Sequence, residues 1–208
     1  MSEIHLFTEP IVIAANGPFP THTIPLKAMD ESGTLICTDG SADKILDSGN
    51  EPHVIIGDED STHLNPSDCK GLWISAPDQN KTDLHKTLDW CSMNNIKTVT
   101  IVGATGDRDD QTQANISLIG RFVPEMNITI ITDVSTISCH NGNAGFISFK
   151  GQTVSLIGSG TITTQGLKFE LDNQKLEHIT HGVSNRAEGT QFEVESDEPV
   201  WVFRAHPE

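Results

Sequence analysis

The chain has 208 residues, of which 36% are hydrophobic and 20% charged; that is ordinary for a soluble globular protein and long enough for one large domain or two small ones. Thirteen Lys and Arg against 29 Asp and Glu leave a formal charge of −16, which argues against nucleic acid or an acidic membrane as partner. A small phosphorylated ligand stays open, provided a divalent cation stands between its charges and the carboxylates of the protein.

In chain order, "IVIAA" (11–15), "TLICT" (34–38), "HVIIG" (53–57), "LWIS" (72–75), "TVTIVG" (98–103) and "NITIIT" (127–132) are short β-branched runs, apolar throughout, as expected of strands buried on both faces. Between them, "TDLHKTLDWCSMNN" sets Leu84, Leu88 and Cys91 on one helical face with Thr82 as N-cap, and "QTQANISLIGRFVPEM" aligns Ile116, Ile119 and Val123. Strands alternating with helices predict a parallel α/β sheet. From about Ser135 the texture changes: "GFISF", "TVSLI", "GLKFEL", "TQFEVE" and "PVWVF" are short strands parted by Gly, Asn, Asp and Pro. A boundary near 133–142 follows, giving a parallel-sheet, Rossmann-like α/β domain over 1–134 and a small all-β domain over 135–208, expected as a β-sandwich of two packed sheets.

The opening "MSEIHLFTEP" lacks the basic start and apolar stretch of a signal peptide, and no run reaches membrane-spanning length. Cys37, Cys69, Cys91 and Cys139 show no CxxC pair, so reduced thiols in a cytoplasmic protein are expected rather than a zinc site or disulfide framework.

The polar residues that follow the strands carry the chemistry. Asn16-Gly17 follows the first strand, Asp39 the second, Asp58 and Asp60 the third, Asp78 the fourth and "GATGDRDD" (103–110) the fifth. In an open parallel sheet these loops gather at one edge, so the scattered acids become one acidic, glycine-lined crevice. Each has a plainer reading as well. Asp-rich turns form because Asp bonds its own backbone, Asp83 at a helix start opposes the helix dipole, and Arg108 among Asp107, Asp109 and Asp110 is a solvated ion pair. "GATGD" is neither a GxGxxG fingerprint nor a Walker loop.

The segments "ANG", "TDGSADKIL", "PHVIIGDEDS", "DQNKTDLHKTL", "GATGDRDDQTQANISL", "GLKFEL" and "VSN", in this order from residue 15 to residue 185, resemble the thiamin pyrophosphokinase family. Two departures stand out: Asp43 takes the place of an Asn, and Gln111 a position often held by His in bacterial members. The resemblance implies Mg²⁺ held by Asp58, Asp60 and Asp83, which with Arg108 form the catalytic set. It places Asn16, Asp39, Thr105, Arg108 and Asp110 on ATP, and Gln79, Ser184, Asn185 and Trp201 on thiamin. For Trp201 a core position is the alternative, since a one-residue shift in a strand turns the ring to the other face. The implied reaction is attack of thiamin's hydroxyl on the β-phosphorus of ATP, giving thiamin diphosphate and AMP, by a homodimer that shares its thiamin site between subunits. Three other readings compete: a metal-dependent nucleotide phosphohydrolase, a non-catalytic thiamin- or nucleotide-binding protein, and a cupin-like metal site using His178 and His181.

Overall fold

The computed structural model describes residues 7–58 and 70–207. It divides into two compact units, Met1–Leu118 with Ile130–Asp133, and Ile119–Thr129 with Val134–Glu208. Up to the second unit the elements run β1 (Ile11–Ala14), α1 (Thr23–Asp30), β2 (Thr34–Thr38), α2 (Asp39–Asp47), β3 (Val54–Gly57), β4 (Leu72–Ser75), α3 (Asp83–Met93), β5 (Thr98–Val102), α4 (Asp109–Phe122) and β6 (Asn127–Ile131).

In the first unit β1 lies between β2 and β5, with β3 beyond β2 and β4 beyond β3, and each of these pairs is parallel. Strands covered on both faces need apolar side chains on both, which is why the runs are continuous: Ile13, Ile36, Ile55, Ile56 and Ile101 are fully buried. On one face Val12, Leu35, Cys37 and Val102 meet Met29 of α1 and Ala42 and Ile45 of α2. β4 departs from the expectation of burial. It is the last strand of the described sheet and leaves Leu72 47% exposed, because an edge position covers less of it.

The helices follow from their caps and stripes. Thr82 Oγ1 accepts from the His85 N–H at 3.3 Å and starts α3. Leu84, Leu88 and Cys91 are buried as expected, each leucine contributing about 1.5–3 kcal/mol of burial. On α4 the buried stripe is Asn115, Ile119 and Phe122 rather than 116, 119 and 123. Two short helices had no apolar stripe to announce them. α1 carries Pro25 in its first turn, where no backbone N–H is required. It is tied down by Asp133, which accepts from the Thr21 N–H at 3.0 Å, the Thr21 hydroxyl at 2.6 Å and the His22 N–H at 3.1 Å.

The second unit holds β7 (Ser135–Ile147), β8 (Thr153–Gly158), β9 (Thr161–Gln165), β10 (Gln174–Lys175), β11 (Asn185–Arg186) and β12 (Gln191–Ala205). β12 pairs antiparallel with β7 along its length. Its other edge takes β9 at Glu193–Ser196 and β8 at Val200–Arg204. The expected strands "TQFEVE" and "PVWVF" are therefore one strand, interrupted by an irregularity between Ser196 and Val200. The strands expected as two packed sheets are joined by hydrogen bonds through it. Alternate residues Phe192, Val194, Val200 and Val202 from both halves enter one buried cluster with Phe146, Val154, Leu156 and Ile162, the period of two that a half-buried strand requires.

"GLKFEL" is not a strand. Gly166 has φ +92°, and the Glu170 carboxylate folds back to accept from the Gly166 N–H at 2.7 Å and the Leu167 N–H at 3.0 Å, leaving one isolated bridge between Leu167 and Ala187. The left-handed backbone and the inward carboxylate make a braced loop out of a run that alternates like a strand.

Candidate active site

Parallel pairing points the ends of β1, β2, β3 and β5 to one edge of the first unit, where a cavity of about 410 Å³ opens. Asn16 and Gly17 after β1, Thr38 ending β2, Asp58 after β3, Gln79 and Asp83 before and at the start of α3, and Gly103, Gly106 and Arg108 after β5 all line it. The first loop is fixed by the Gly17 N–H on the Gly103 carbonyl at 2.8 Å and by Lys44. The Lys44 ammonium donates to the carbonyls of Asn16 and Gly17 and to the Asn16 side-chain oxygen at 2.9–3.0 Å. On the far wall Asn115 donates to the Ala104 carbonyl at 2.8 Å and the Thr112 hydroxyl accepts from the Gly106 N–H at 3.1 Å.

The charges at the centre are paired. Asp58 Oδ2 accepts from the Gln79 amide at 2.6 Å and from the Lys86 ammonium at 3.3 Å, and Lys86 also reaches Asp83 Oδ1 at 3.0 Å. Lys86 is only 7% exposed. Burial works against its charge, yet the hydrogen bonds and attraction of Asp83 and Asp58 outweigh it and raise its pKa above that of an ordinary lysine. Arg108 forms a two-pronged pair with Asp110, 2.5 Å and 3.1 Å, which raises the guanidinium pKa and lowers that of the carboxyl. Both side chains are exposed at the cavity's rim. Burial pushes the Cys91 thiol, on the inner face of α3, up to about 12.

Two carboxylates that share one ammonium present oxygens to a single cation, and oxygen is the donor a hard divalent ion takes. Asp58 and Asp83 thus fit such an ion. Among the described residues no three acidic, His or Cys side chains gather into a metal-binding group, and Asp60 lies outside the described residues.

Other expected residues fall elsewhere. Asp39 is 0% exposed and absent from the cavity wall; it begins α2, bonds the Gly40 N–H at 2.6 Å, and stands where a Cβ on Gly57 would collide with its carboxylate. The missing side chain of Gly57 therefore makes room for a buried acid. Thr105 does not line the cavity, and Asp110 reaches it only through Arg108.

Two family models cover most of the chain: "Thiamin pyrophosphokinase, catalytic domain" over residues 26–131 and "Thiamin pyrophosphokinase, vitamin B1 binding domain" over residues 135–201. The chain belongs to the thiamin pyrophosphokinase family. It is 26% identical over 160 residues to thiamin pyrophosphokinase 1 of Caenorhabditis elegans, covering 68% of this chain and 66% of that protein. It is likewise 26% identical over 212 residues to the Oryza sativa subsp. japonica protein, covering 84% and 80%. Among solved structures, the Bacillus subtilis thiamine pyrophosphokinase matches with a TM-score of 0.80 at 22% identity over 95% of this chain and 99% of that one. The Candida albicans thiamin pyrophosphokinase matches with a TM-score of 0.75 at 18% identity over 94% and 89%. These structural likenesses speak for the fold, a thiamin pyrophosphokinase fold with mixed strand pairing and a β-rich C-terminal part.

Within the stretch matched by the vitamin B1 binding model, the expected thiamin residues have distinct surroundings. Ser184 is exposed, at φ +65°, with its N–H on the Ser155 hydroxyl at 3.0 Å. Asn185 is 6% exposed and its amide is used by backbone: Nδ2 donates to the Phe169 carbonyl at 2.6 Å, while Oδ1 accepts from the Phe169 N–H at 3.0 Å and the Arg186 N–H at 2.8 Å. Trp201 is half-buried on the face opposite Val200 and Val202, with its ring packed on Gly120 of α4.

Two residues escaped sequence reasoning. Lys86 stands three residues after Asp83 on α3, a spacing that puts both on one helical face and was there to be read. Phe169, at the tip of the braced loop, is 63% exposed beneath the Lys168 ammonium, 5.4 Å from the ring centre. A strand assignment for "GLKFEL" hid it.

Proposed function

We propose that the chain is an ATP:thiamin diphosphotransferase, transferring the pyrophosphoryl group of ATP to the hydroxyl of thiamin with Mg²⁺ and releasing AMP. The observation that carries the site assignment is the Asp58–Lys86–Asp83 bridge on the wall of a glycine-lined cavity, in a chain whose two halves match the catalytic and vitamin B1 binding models of one family. Those matches leave the phosphohydrolase and the non-catalytic readings unsupported.

Asp58, Asp83 and Asp60 would hold Mg²⁺, which would neutralise phosphate charge. Asn16 and the loop carrying Thr105 flank the nucleotide, with Lys44 keeping the Asn16-Gly17 backbone in place. Asp110 aims Arg108 across the cavity mouth, where its guanidinium steadies charge that develops on the phosphates. Asp39 acts from behind the wall by ordering the start of α2. Chemistry of this kind is mostly positioning and charge neutralisation, and these side chains suffice for both. Gln79 and Ser184 contact thiamin; Asn185 serves the same site by shaping the loop that bears Phe169, and Trp201 is assigned to packing.

In this reading residues 1–134 form a Rossmann-like nucleotide- and metal-binding domain, and 135–208 a β-sandwich in which both layers share β12. We place the protein in the cytoplasm, a setting with which buried Cys37, Cys91 and Cys139 outside any disulfide are compatible. Among the described residues no helix is long and apolar enough to cross a membrane.

Incubation with ATP, Mg²⁺ and thiamin tests the reaction. AMP is expected in step with thiamin diphosphate; ADP with thiamin monophosphate, or phosphate released without thiamin, would replace this reading with a kinase or a hydrolase. The proposed homodimer with a thiamin site shared between subunits is checked by sedimentation at assay concentration, where a fully active monomer defeats it.

A further inference from the structure

Lys86 is the cation closest to the proposed metal seat. Its stem is buried and its ammonium spans Asp83 Oδ1 at 3.0 Å and Asp58 Oδ2 at 3.3 Å, one acid from its own helix and one from the end of β3. An ammonium has three donors and no acceptor, so two of the three are taken up by these carboxylates. The bridge couples the end of β3 to the first turn of α3, with both carboxylates on the cavity wall.

We propose, building on the function above, that Lys86 is a built-in counter-ion that holds the metal seat against free divalent cations and yields it to a metal–nucleotide pair. A free cation approaching Asp58 and Asp83 meets a positive charge already between them, in a part-buried site where like charges repel more strongly than in water. Displacing the ammonium without offering it another acceptor leaves a buried, unpaired charge. A triphosphate in the cavity changes this balance, because its oxygens accept from the ammonium and leave the two carboxylates to the metal. Lys86 is in this sense a positioning residue that sets the order of binding: nucleotide and metal enter together.

The test is a titration of Mn²⁺ alone into the intact protein, followed by the paramagnetic resonance of the free ion. Lys86→Met is expected to bind Mn²⁺ roughly tenfold more tightly than the unsubstituted chain, with Lys86→Arg within about twofold of it because the charge is kept. Adding Asp58→Asn to Lys86→Met is expected to abolish the gain, which locates the ion. A non-hydrolysable ATP analogue is expected to narrow the difference between Lys86→Met and the unsubstituted chain. Equal or weaker Mn²⁺ binding by a folded Lys86→Met, or a gain that survives Asp58→Asn, overturns the assignment. Should Lys86→Met fail to fold, Lys86→Gln carries the same expectation. The titration needs no turnover, so failure to form AMP counts against the proposed function, whereas unchanged Mn²⁺ affinity counts against Lys86 alone.

Discussion

The cavity of the first unit and the 166–171 loop of the second both concentrate polar side chains taken from sequence motifs, and they use them in opposite ways. At the cavity, the side-chain bonds that Asp58, Gln79, Asp83, Lys86 and Arg108 make among the described residues run to other side chains, so a ligand can exchange partners with them at little cost to the fold. Around the loop, the Asn185 amide and Glu170 Oε1 are spent on backbone groups, while Glu170 Oε2 accepts from the Thr164 hydroxyl. Losing one of those side chains strands backbone donors that no other group replaces. A polar residue in a motif can thus be chemistry or scaffolding, and the partner it has chosen tells which.

Substitution should separate the two sharply. Asp83→Asn keeps the helix start and its Thr82 cap but removes a charge from the metal seat. Turnover is expected to fall on the order of 10²–10³-fold while the melting temperature moves little; full activity in steady-state assays of a metal-replete sample would place Asp83 on the scaffolding side. Asn185→Ala should do the reverse. It leaves the Phe169 and Arg186 backbone groups without their partner in a part-buried setting, at a cost of about 2–3 kcal/mol. For a chain of this size that lowers the melting temperature by roughly 4–12 °C. Calorimetry showing no change would return Asn185 to direct ligand contact.

The smallest effect concerns pH and sharpens the picture of the β unit. His140 is half-buried beside Phe146, with its Nε2 on the Ser138 hydroxyl at 2.8 Å. Burial, helped by the Arg204 charge, lowers its pKa below the ordinary 6.5. The folded state then binds fewer protons than the unfolded one. The stability this contributes is present above 6.5 and is lost as pH falls from there through the lowered folded value. Denaturant midpoints compared at about pH 7.5 and 5.5 should fall on acidification, and His140→Gln should flatten that slope. An unaltered slope in the variant assigns the acid sensitivity to other groups.

The apolar strand runs were legible because burial on both faces leaves a continuous signature; β2, buried throughout, falls at the expected 34–38, and β4 falls at the expected 72–75 although it is only partly covered. Composition could not say that β4 lies at an edge, since neighbour order is set by the whole sheet. β7 was recognised only at its end, as "GFISF", because "STISCHNGN" carries small and polar residues through the rest of the strand. Of the acids, Asp58 and Asp83, grouped by the family resemblance, are linked by a lysine whose bridging needs β3 and α3 side by side. Asp39 followed a strand just as Asp58 did, yet it is buried at the start of α2 against Gly57, a contact that only the packed sheet reveals. Nothing in "VSN" tells that the Asn185 amide is consumed by Phe169.

β12 has a bearing on how the second unit comes into being. Three strands, β7, β8 and β9, all find their hydrogen-bond partners on it, and its side chains reach the buried cluster from both halves. Until Gln191–Ala205 is in place those strands have open edges and an unfilled interior, so an early hairpin has little to hold it. Assembly should be cooperative, slow for its size because the pairings span long stretches of chain, and dependent on holding sticky edges apart while the polypeptide is still being made.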